Sequence, residues 1–173
     1  MSGVLRAGII GCGGIAHAHL DGYRENGVAV TALADVNTQA AAALAAKVKG
    51  EVKCFAGCRE LVDSGLVEVV SICSPPASHE AAAVYALTRG IHVLCEKPLA
   101  HDAASAARIA AAAAAGKALL MPAFRHRFLP ALVRIKQELD AGAIGTPVFF
   151  QNVFCGPAFD MKDRWFTRKA IAG

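Results

Sequence analysis

The stretch that decides the fold stands near the start of the chain and reads VLRAGIIGCGGIAHAHL (residues 4–20). Its apolar run Val4–Ile10 is typical of a buried strand, and the glycines that follow lead into a helix predicted from about Ile15 to Asn26. A second apolar run, Val28–Asp35, ends on an acidic residue. Strand, glycine turn, helix and strand in this order predict a parallel βαβ unit.

Further apolar runs continue the alternation, and alanine-rich helical segments separate them. They stand at residues 52–55, 67–73, 92–96 and 118–124. Because these runs are continuous instead of alternating with polar residues, they are typical of strands buried on both faces of a parallel sheet. We therefore expect an α/β fold over residues 1–124, a doubly wound parallel (Rossmann) sheet. The predicted N-caps of its helices include Asn37, Ser78 and Asp102.

The pattern changes after about residue 124. A helix is predicted from Pro130 to Gly142, and the run Val148–Phe154 predicts a β-rich segment. We expect residues 125–173 to open a second, α+β domain. Those 49 residues are too few for a sheet with its own core, so we expect this domain to be incomplete and the chain to be a fragment or truncated.

Composition narrows the class of protein. Hydrophobic residues make up 55% of the chain and the formal net charge is +4, which excludes disorder. The longest apolar run, Ile109–Ala115, is too short to span a membrane, and no secretory signal is visible, so we expect a soluble, cytoplasmic protein without a membrane partner. Residues 117–173 carry nine basic and four acidic groups. Without interleaved aromatic residues, a solvated face or a pocket for an anionic substrate explains these charges, and we expect no nucleic-acid partner.

The six cysteines are scattered along the chain. The closest pair, Cys54 and Cys58, has neither a second pair nor a nearby histidine to complete a zinc site. Buried reduced thiols are therefore favoured over a metal site or a disulfide.

The first candidate site is the glycine turn, which fits the pattern G-x-G-x-x-A at residues 11–16. Gly11 allows a tight turn, and Gly13, which has no side chain, lets a pyrophosphate approach the backbone. The helix N-terminus at Gly14 and Ile15 supplies amide donors and the positive end of a dipole. Because the pattern follows a strand and opens a helix, it predicts dinucleotide binding in preference to a turn made for packing alone.

Asp35 bears on the choice of cofactor. A carboxylate at the end of the second strand accepts hydrogen bonds from the adenosine ribose hydroxyls and repels a 2′-phosphate. The next residues, Val36 and Asn37, offer no cation to receive that phosphate. NAD is therefore predicted, with NADP the less favoured cofactor.

A second group of candidates follows the strands predicted at 67–73 and 92–96, at the edge where open α/β sheets place their ligands. The first strand leads into SPPASH (residues 74–79) and the second into EKP (residues 96–98). Lys97 stands where a cation can hydrogen-bond a substrate hydroxyl and stabilise a developing alkoxide. This position favours a functional lysine over a solvated surface group.

Together these residues resemble the Gfo/Idh/MocA family, the glucose–fructose oxidoreductase and inositol dehydrogenase group of nicotinamide-dependent oxidoreductases. The resemblance rests on the glycine turn, on Asp35, on the proline pair that leads to His79, and above all on the sequence Glu-Lys-Pro at residues 96–98. It extends from residue 4 through Arg127 and the turn at Gly142 and Gly145.

The resemblance implies a role for each residue. Lys97 would be the catalytic or substrate-orienting lysine, joined to Pro98 by a cis peptide bond, and Arg127 would face the substrate, a small sugar or polyol. The cofactor would be bound on its nicotinamide side by Ser74, Pro75, His79, Glu96 and Lys97.

The resemblance also implies what a longer chain would add. Family enzymes carry a catalytic Asp and His in a second domain that binds substrate and forms homo-oligomers, and we expect this chain to lack that pair. We expect it to bind NAD and to be a weak catalyst, and the full-length protein to form a homo-oligomer.

Three functions compete at this point. The leading hypothesis is hydride transfer between NAD and the carbinol carbon of a sugar, cyclitol or related compound. An S-adenosylmethionine-dependent methyltransferase would also use a glycine turn and Asp35, but Lys97 and Ala16 argue against it. The third hypothesis is a non-catalytic NAD-binding sensor or regulatory module of the same family, in which Lys97 would have no task.

Overall fold

The computed structural model describes residues 3–153, 155 and 165–172. The chain divides into two compact units, of which the first comprises residues 1–123 together with 165–173 and the second residues 124–164. The two units are described separately below. The assignment of residues 125–173 to a substrate domain stays a prediction.

The first unit is built on a parallel sheet, and the described part of the chain contributes six strands to it. They are β1 (Arg6–Ile10), β2 (Ala29–Ala34), β3 (Lys53–Phe55), β4 (Val69–Ile72), β5 (His92–Cys95) and β6 (Leu120–Pro122). Their order across the sheet is β3-β2-β1-β4-β5-β6, and every neighbouring pair is parallel. The predicted doubly wound Rossmann sheet is confirmed.

The helices of the described residues are α1 (Gly14–Glu25), α2 (Thr38–Ala45), α3 (Cys58–Asp63), α4 (His79–Thr88), α5 (Ala103–Ala115), α6 (Pro130–Asp140) and α7 (Lys169–Ala172). Helices α1 to α5 connect the strands, whereas α6, in the second unit, and α7 follow the last strand. Two predicted N-caps are confirmed, because the side chain of Asn37 accepts from the backbone at the start of α2 and that of Asp102 accepts from Ser105 N–H. Ser78 does not cap α4. It ends a 3-10 turn, Pro76–Ser78, with helical backbone angles, whereas a capping side chain needs an extended residue.

The sheet is covered on both faces, as the continuous apolar runs predict. Alternate residues of β1 enter two separate clusters. Ile9 belongs to the cluster formed with α1 and α2, which includes the fully buried Ala16. Ile10 belongs to the cluster formed with α3, α4 and α5, which includes Leu61 and Ile109. Small alanines on the helices allow them to lie close to the strands.

The register brings the carboxyl ends of the strands to one edge. Ile10 pairs with Ala34 of β2 on one side and with Ile72 of β4 on the other. Ile72 pairs in turn with Cys95 of β5, and Cys95 with Pro122 of β6. The strand order reverses between β1 and β4, so the loops that follow these two strands form the switch point where open α/β sheets bind ligands.

The second unit contains the predicted helix as α6, which begins at Pro130. The β-rich segment predicted at Val148–Phe154 is wrong for residues 148–153, which form no strand, and Phe154 lies outside the described residues. Val148 is 97% exposed and Phe149 is 81% exposed. A strand requires a partner for its backbone groups, and the described residues of this unit provide none.

Two expectations about composition can be compared with the structure. All six cysteines are free thiols, but only Cys12, Cys73 and Cys95 are buried, and Cys54 is exposed because it lies on the edge strand β3. Among the described residues, each helix is too short or too polar to cross a lipid bilayer.

Gly11 offers a test of the packing at the switch point. Its φ is +88°, and a Cβ there would lie 2.5 Å from the backbone nitrogen of Ser74, whereas Gly27 has φ +68° with no atom within 4 Å of such a Cβ. We expect Gly27→Ala to lower the free energy of unfolding by about 1 kcal/mol, the cost of a left-handed backbone alone. We expect Gly11→Ala to cost about 1–3 kcal/mol more, because the turn must also move off β4.

Denaturant unfolding of the two variants and the wild type measures this difference. Equal losses of stability in the two variants would contradict the close approach of Gly11 to Ser74.

Candidate functional site

A cleft of about 490 Å3 lies at the carboxyl edge of the sheet in the first unit. It is bordered by the turns that follow β1 and β2, by the loop that follows β4, and by Trp165. Five of the residues predicted from sequence line it, namely Gly11, Gly13, Asp35, Ser74 and Pro75.

The glycine turn forms one wall of the cleft. The positive φ of Gly11 turns the chain directly after β1, and its N–H donates to the carbonyl of Ala34 at 2.8 Å. Gly13 is the N-cap of α1, and Gly14 is its first residue. No protein atom lies within 4 Å of a Cβ built on Gly13 or Gly14, so protein packing does not explain why these positions lack side chains. Room beside the backbone at the positive end of a helix suits a phosphate group.

Asp35 joins two turns that border the cleft through hydrogen bonds of its carboxylate. One carboxylate oxygen accepts the backbone N–H of Cys12 at 2.7 Å, and the other accepts the N–H of Asn37 at 2.7 Å. The first bond reaches from β2 to the glycine turn, and the second closes the turn into α2. Because an ionised carboxylate has about four acceptor positions, Asp35 can still accept further donors from a ligand.

The loop after β4 carries Ser74, Pro75 and His79. The first two line the cleft, but His79 is buried, with 1% of its surface exposed. Its Nε2 lies 2.7 Å from the carbonyl oxygen of Ser74, and its Nδ1 lies 3.0 Å from that of Pro98. Since a carbonyl oxygen only accepts, the ring nitrogen that carries a proton donates to the carbonyl that faces it, and a neutral ring donates to one of the two. His79 therefore joins the loops after β4 and β5.

The loop after β5 carries Glu96, Lys97 and Pro98. The N–H of Glu96 donates to the carbonyl of Ile72 at 2.9 Å, so this loop leaves the sheet beside the loop after β4. The peptide bond between Lys97 and Pro98 is cis, as the resemblance implies. The Lys97 side chain is exposed, whereas that of Glu96 is largely buried.

Some predicted site residues lie away from the lining of the cleft. Gly14, Ile15, His79, Glu96 and Lys97 are not part of that lining, although each belongs to an element that borders it or is bonded to such an element. Arg127 belongs to the second unit, on the exposed 3-10 turn Arg125–Phe128. The ligand contacts predicted for these residues stay predictions.

Two thiols near the cleft are unreactive near pH 7. Burial, helped by the charge of Asp35, raises the pKa of the Cys12 thiol to about 12. Burial also raises the pKa of Cys73, which lines the cleft. Both groups are therefore neutral near pH 7 and serve as small apolar side chains, since only the thiolate is a strong nucleophile.

Sequence reasoning missed two residues near the site, His19 and Trp165. No role was predicted for His19, which contacts both Ser71 and Glu96. Trp165 was placed with the second domain, and yet it lines the cleft. One feature of the sequence could have pointed to His19. Its spacing from the glycine turn places its side chain in the second turn of the helix that begins beside the cleft. Within the described residues, no group of three potential metal ligands occurs.

Comparison with known proteins identifies the family. Residues 5–124 match the family model of the Gfo/Idh/MocA oxidoreductases, described as an oxidoreductase family with an NAD-binding Rossmann fold. Inositol 2-dehydrogenase 1 of Saccharopolyspora erythraea is 37% identical over 152 residues, which are 86% of this chain and 45% of that enzyme. The chain spans about half the length of the curated relatives that it matches.

Solved structures share the same architecture. The myo-inositol dehydrogenase of Lactobacillus casei, in complex with NAD(H) and myo-inositol, superimposes with a TM-score of 0.79 at 28% identity, over 84% of this chain and 44% of that one. A levoglucosan dehydrogenase in complex with NADH and levoglucosan gives 0.77 at 28% identity, over 83% and 41% of the two chains. With its family model, its sheet and its glycine turn in agreement, this chain belongs to the Gfo/Idh/MocA oxidoreductase family, which binds NAD on a Rossmann fold.

Proposed function

We propose that this chain is the cofactor-binding part of a dehydrogenase that transfers a hydride between NAD and the carbinol carbon of a sugar, cyclitol or related polyol. One observation carries the proposal. The register of the sheet sets the glycine turn, Asp35 and the loop bearing Lys97 at a single edge. A cofactor site and a candidate acid–base group therefore share one side of the molecule.

The residues of the cleft suit a dinucleotide. Open space beside Gly13 at the start of α1 can receive a pyrophosphate, and the remaining acceptor positions of Asp35 can receive the ribose hydroxyls. The nicotinamide ring of the bound cofactor would supply the hydride chemistry. Val36, which is 94% exposed beside Asp35, offers no charge to a 2′-phosphate, so NAD is favoured over NADP.

Lys97 would act on the substrate. An ammonium group there would hydrogen-bond the substrate oxygen and stabilise its developing negative charge. The hydroxyl proton would pass to the histidine that the family resemblance implies in a second domain. The exposed side chain is accessible, while the backbone on either side of it is held by Glu96 and His79. Arg127 is proposed as a second substrate contact on the family resemblance.

The relatives support the class of substrate. The curated relatives are named inositol 2-dehydrogenases, and two structural neighbours were solved with myo-inositol and levoglucosan. We therefore propose a cyclic polyol or sugar as the substrate class. The family match contradicts the methyltransferase hypothesis. Location in the cytoplasm and assembly of the full-length protein into homo-oligomers stay predictions.

Trp165 provides a direct test of the cleft, because it is the chain's only tryptophan and lines that cleft. We expect saturable quenching of tryptophan emission by NADH, with the same dissociation constant that nicotinamide fluorescence reports. Trp165→Phe serves as the control, since it removes the protein signal while NADH fluorescence still reports binding. Binding of NADH with unchanged tryptophan emission would place the cofactor elsewhere, and a folded chain that binds no NADH would refute the proposal.

Cofactor preference is expected to depend on Asp35 and Val36. The double variant Asp35→Ser, Val36→Arg exchanges a repelling carboxylate for an attracting cation, so we expect the ratio of NADPH to NADH affinity to rise about tenfold or more. Absolute affinity for NADH should fall, because the serine cannot hold both Cys12 and Asn37. Val36→Arg alone is the control, and a wild-type chain that binds NADPH more tightly than NADH would contradict our account of Asp35.

Lys97→Ala separates catalysis from binding. In the full-length protein, with NAD and myo-inositol as probes, we expect the rate of NADH formation to fall about a hundredfold or more, while the dissociation constant of NADH stays nearly unchanged. Lys117→Ala is the control, since this exposed lysine precedes β6 at the opposite edge of the sheet. An unmutated full-length protein that binds NADH and oxidises no polyol would instead support the sensor hypothesis.

A further inference from the structure

A chain of polar side chains lies between α1 and the sheet. The hydroxyl groups of Tyr23 and Ser71 are 2.8 Å apart, and His19 Nδ1 lies 2.9 Å from the Ser71 oxygen. His19 Nε2 lies 3.0 Å from one carboxylate oxygen of Glu96, and the other oxygen accepts the backbone N–H of Lys97 at 3.1 Å. We call these four side chains, Tyr23, Ser71, His19 and Glu96, the buried polar chain.

The buried polar chain is shielded from water. Ser71 is 0% exposed, and the side chains of His19 and Glu96 are 9% and 14% exposed. Burial raises the pKa of Tyr23, so its hydroxyl keeps its proton and can donate. Hydrogen bonds in such surroundings are electrostatically stronger than in water, and an unpaired group would be costly.

A protonated His19 ring would donate from both nitrogens, to Ser71 and to Glu96. With a neutral ring, one arrangement of protons satisfies every contact in the buried polar chain. Tyr23 donates to Ser71, Ser71 donates to Nδ1 of His19, and Nε2–H of His19 donates to the Glu96 carboxylate. The Lys97 N–H completes the set at the second carboxylate oxygen. This tautomer of His19 is inferred from the partners of the ring, since a carboxylate accepts only and a neutral imidazole donates once.

We propose that His19 is a positioning residue, which, supported by Ser71, fixes the Glu96 carboxylate and through it the backbone of Lys97. This inference rests on the proposed function for the role of Lys97 in the reaction. The contacts that carry it, from His19 to Glu96 and from Glu96 to Lys97, are independent of that role.

Stability alone does not account for these groups. Replacement of a buried ionic or polar set by apolar residues of similar volume is often neutral or stabilising, so a set like this one contributes more to geometry than to stability. The geometry it determines is specific. His19 stands on α1, whose N-cap residue Gly13 lines the cleft, so this helix contacts both the cleft wall and the loop bearing Lys97.

Two conservative variants distinguish the contact made by Nε2 of His19 from the contact made by Nδ1. The amide of glutamine reaches about as far as Nε2 of histidine and can still donate to Glu96, whereas the amide of asparagine reaches only as far as Nδ1. We expect amide hydrogen exchange of Lys97 to be about tenfold faster or more in His19→Asn and His19→Ala, and near the wild-type rate in His19→Gln. The amide of Val70, in the core of β4, should keep its protection in all three variants.

Turnover gives a second readout. With NAD and myo-inositol as substrates, His19→Asn should lower kcat with little change in the dissociation constant of NADH. The kcat of His19→Gln should be near that of the wild type. His17→Ala is the matched control, because this histidine lies on the same helix and its recorded contact is with Lys47. Protection of Lys97 that is unchanged in His19→Asn, or lost equally in His19→Gln, would overturn the proposal.

The wild-type chain provides a test that does not depend on a variant folding. Nitrogen-15 spectra of histidine-labelled protein report which ring nitrogen carries a proton. A proton on Nε2 of His19 is expected, and Nε2 without a proton would overturn the proposal, because it could not donate to Glu96. Failure of NADH to bind would refute the proposed function and leave these exchange and nitrogen-15 results intact, so the two failures are distinguishable.

Discussion

The close approach of the first turn to β4 is the constraint on which the site depends. A side chain at Gly11 would collide with the backbone of Ser74, so the two chain segments touch at the point where the strand order reverses. Contact there lets the turn, the loop after β4 and the carboxylate of Asp35 border a single cleft. Had the turn carried a side chain, β1 and β4 would have had to separate and the cleft would have widened at its floor.

Polar bonds then fix the loops that the parallel sheet leaves at this edge. A parallel sheet satisfies the backbone groups inside its strands, but the loops at their ends need other partners. Asp35 supplies two such bonds, one to the turn after β1 and one to the turn after β2. His79 links the loops after β4 and β5 through the carbonyl oxygens of Ser74 and Pro98. The cleft is therefore bordered by loops that hold one another, which favours a preformed site.

Prediction from the sequence succeeded where the physics is local and failed where it depends on tertiary pairing. Continuous apolar runs and a glycine turn determine strands and a helix start from neighbouring residues alone, so the sheet, Asp35 and the turn were predictable. The partnership of His19 with Glu96 joins residues 77 positions apart and requires the register of β4 and β5. The strand predicted at Val148 failed for the same reason, because its apolar pattern has no partner strand among the described residues of its unit.

Lys97 lies between two residues that are held in place, and this arrangement fixes the backbone that carries its exposed side chain. On one side Glu96 is held through its carboxylate by His19, from α1. On the other side the carbonyl of Pro98 is held by His79, from the start of α4. The two histidines approach from helices on opposite faces of the sheet, since α1 and α4 pack into different clusters. The backbone that carries Lys97 is thus fixed from both faces, while its side chain keeps the freedom to meet a substrate hydroxyl.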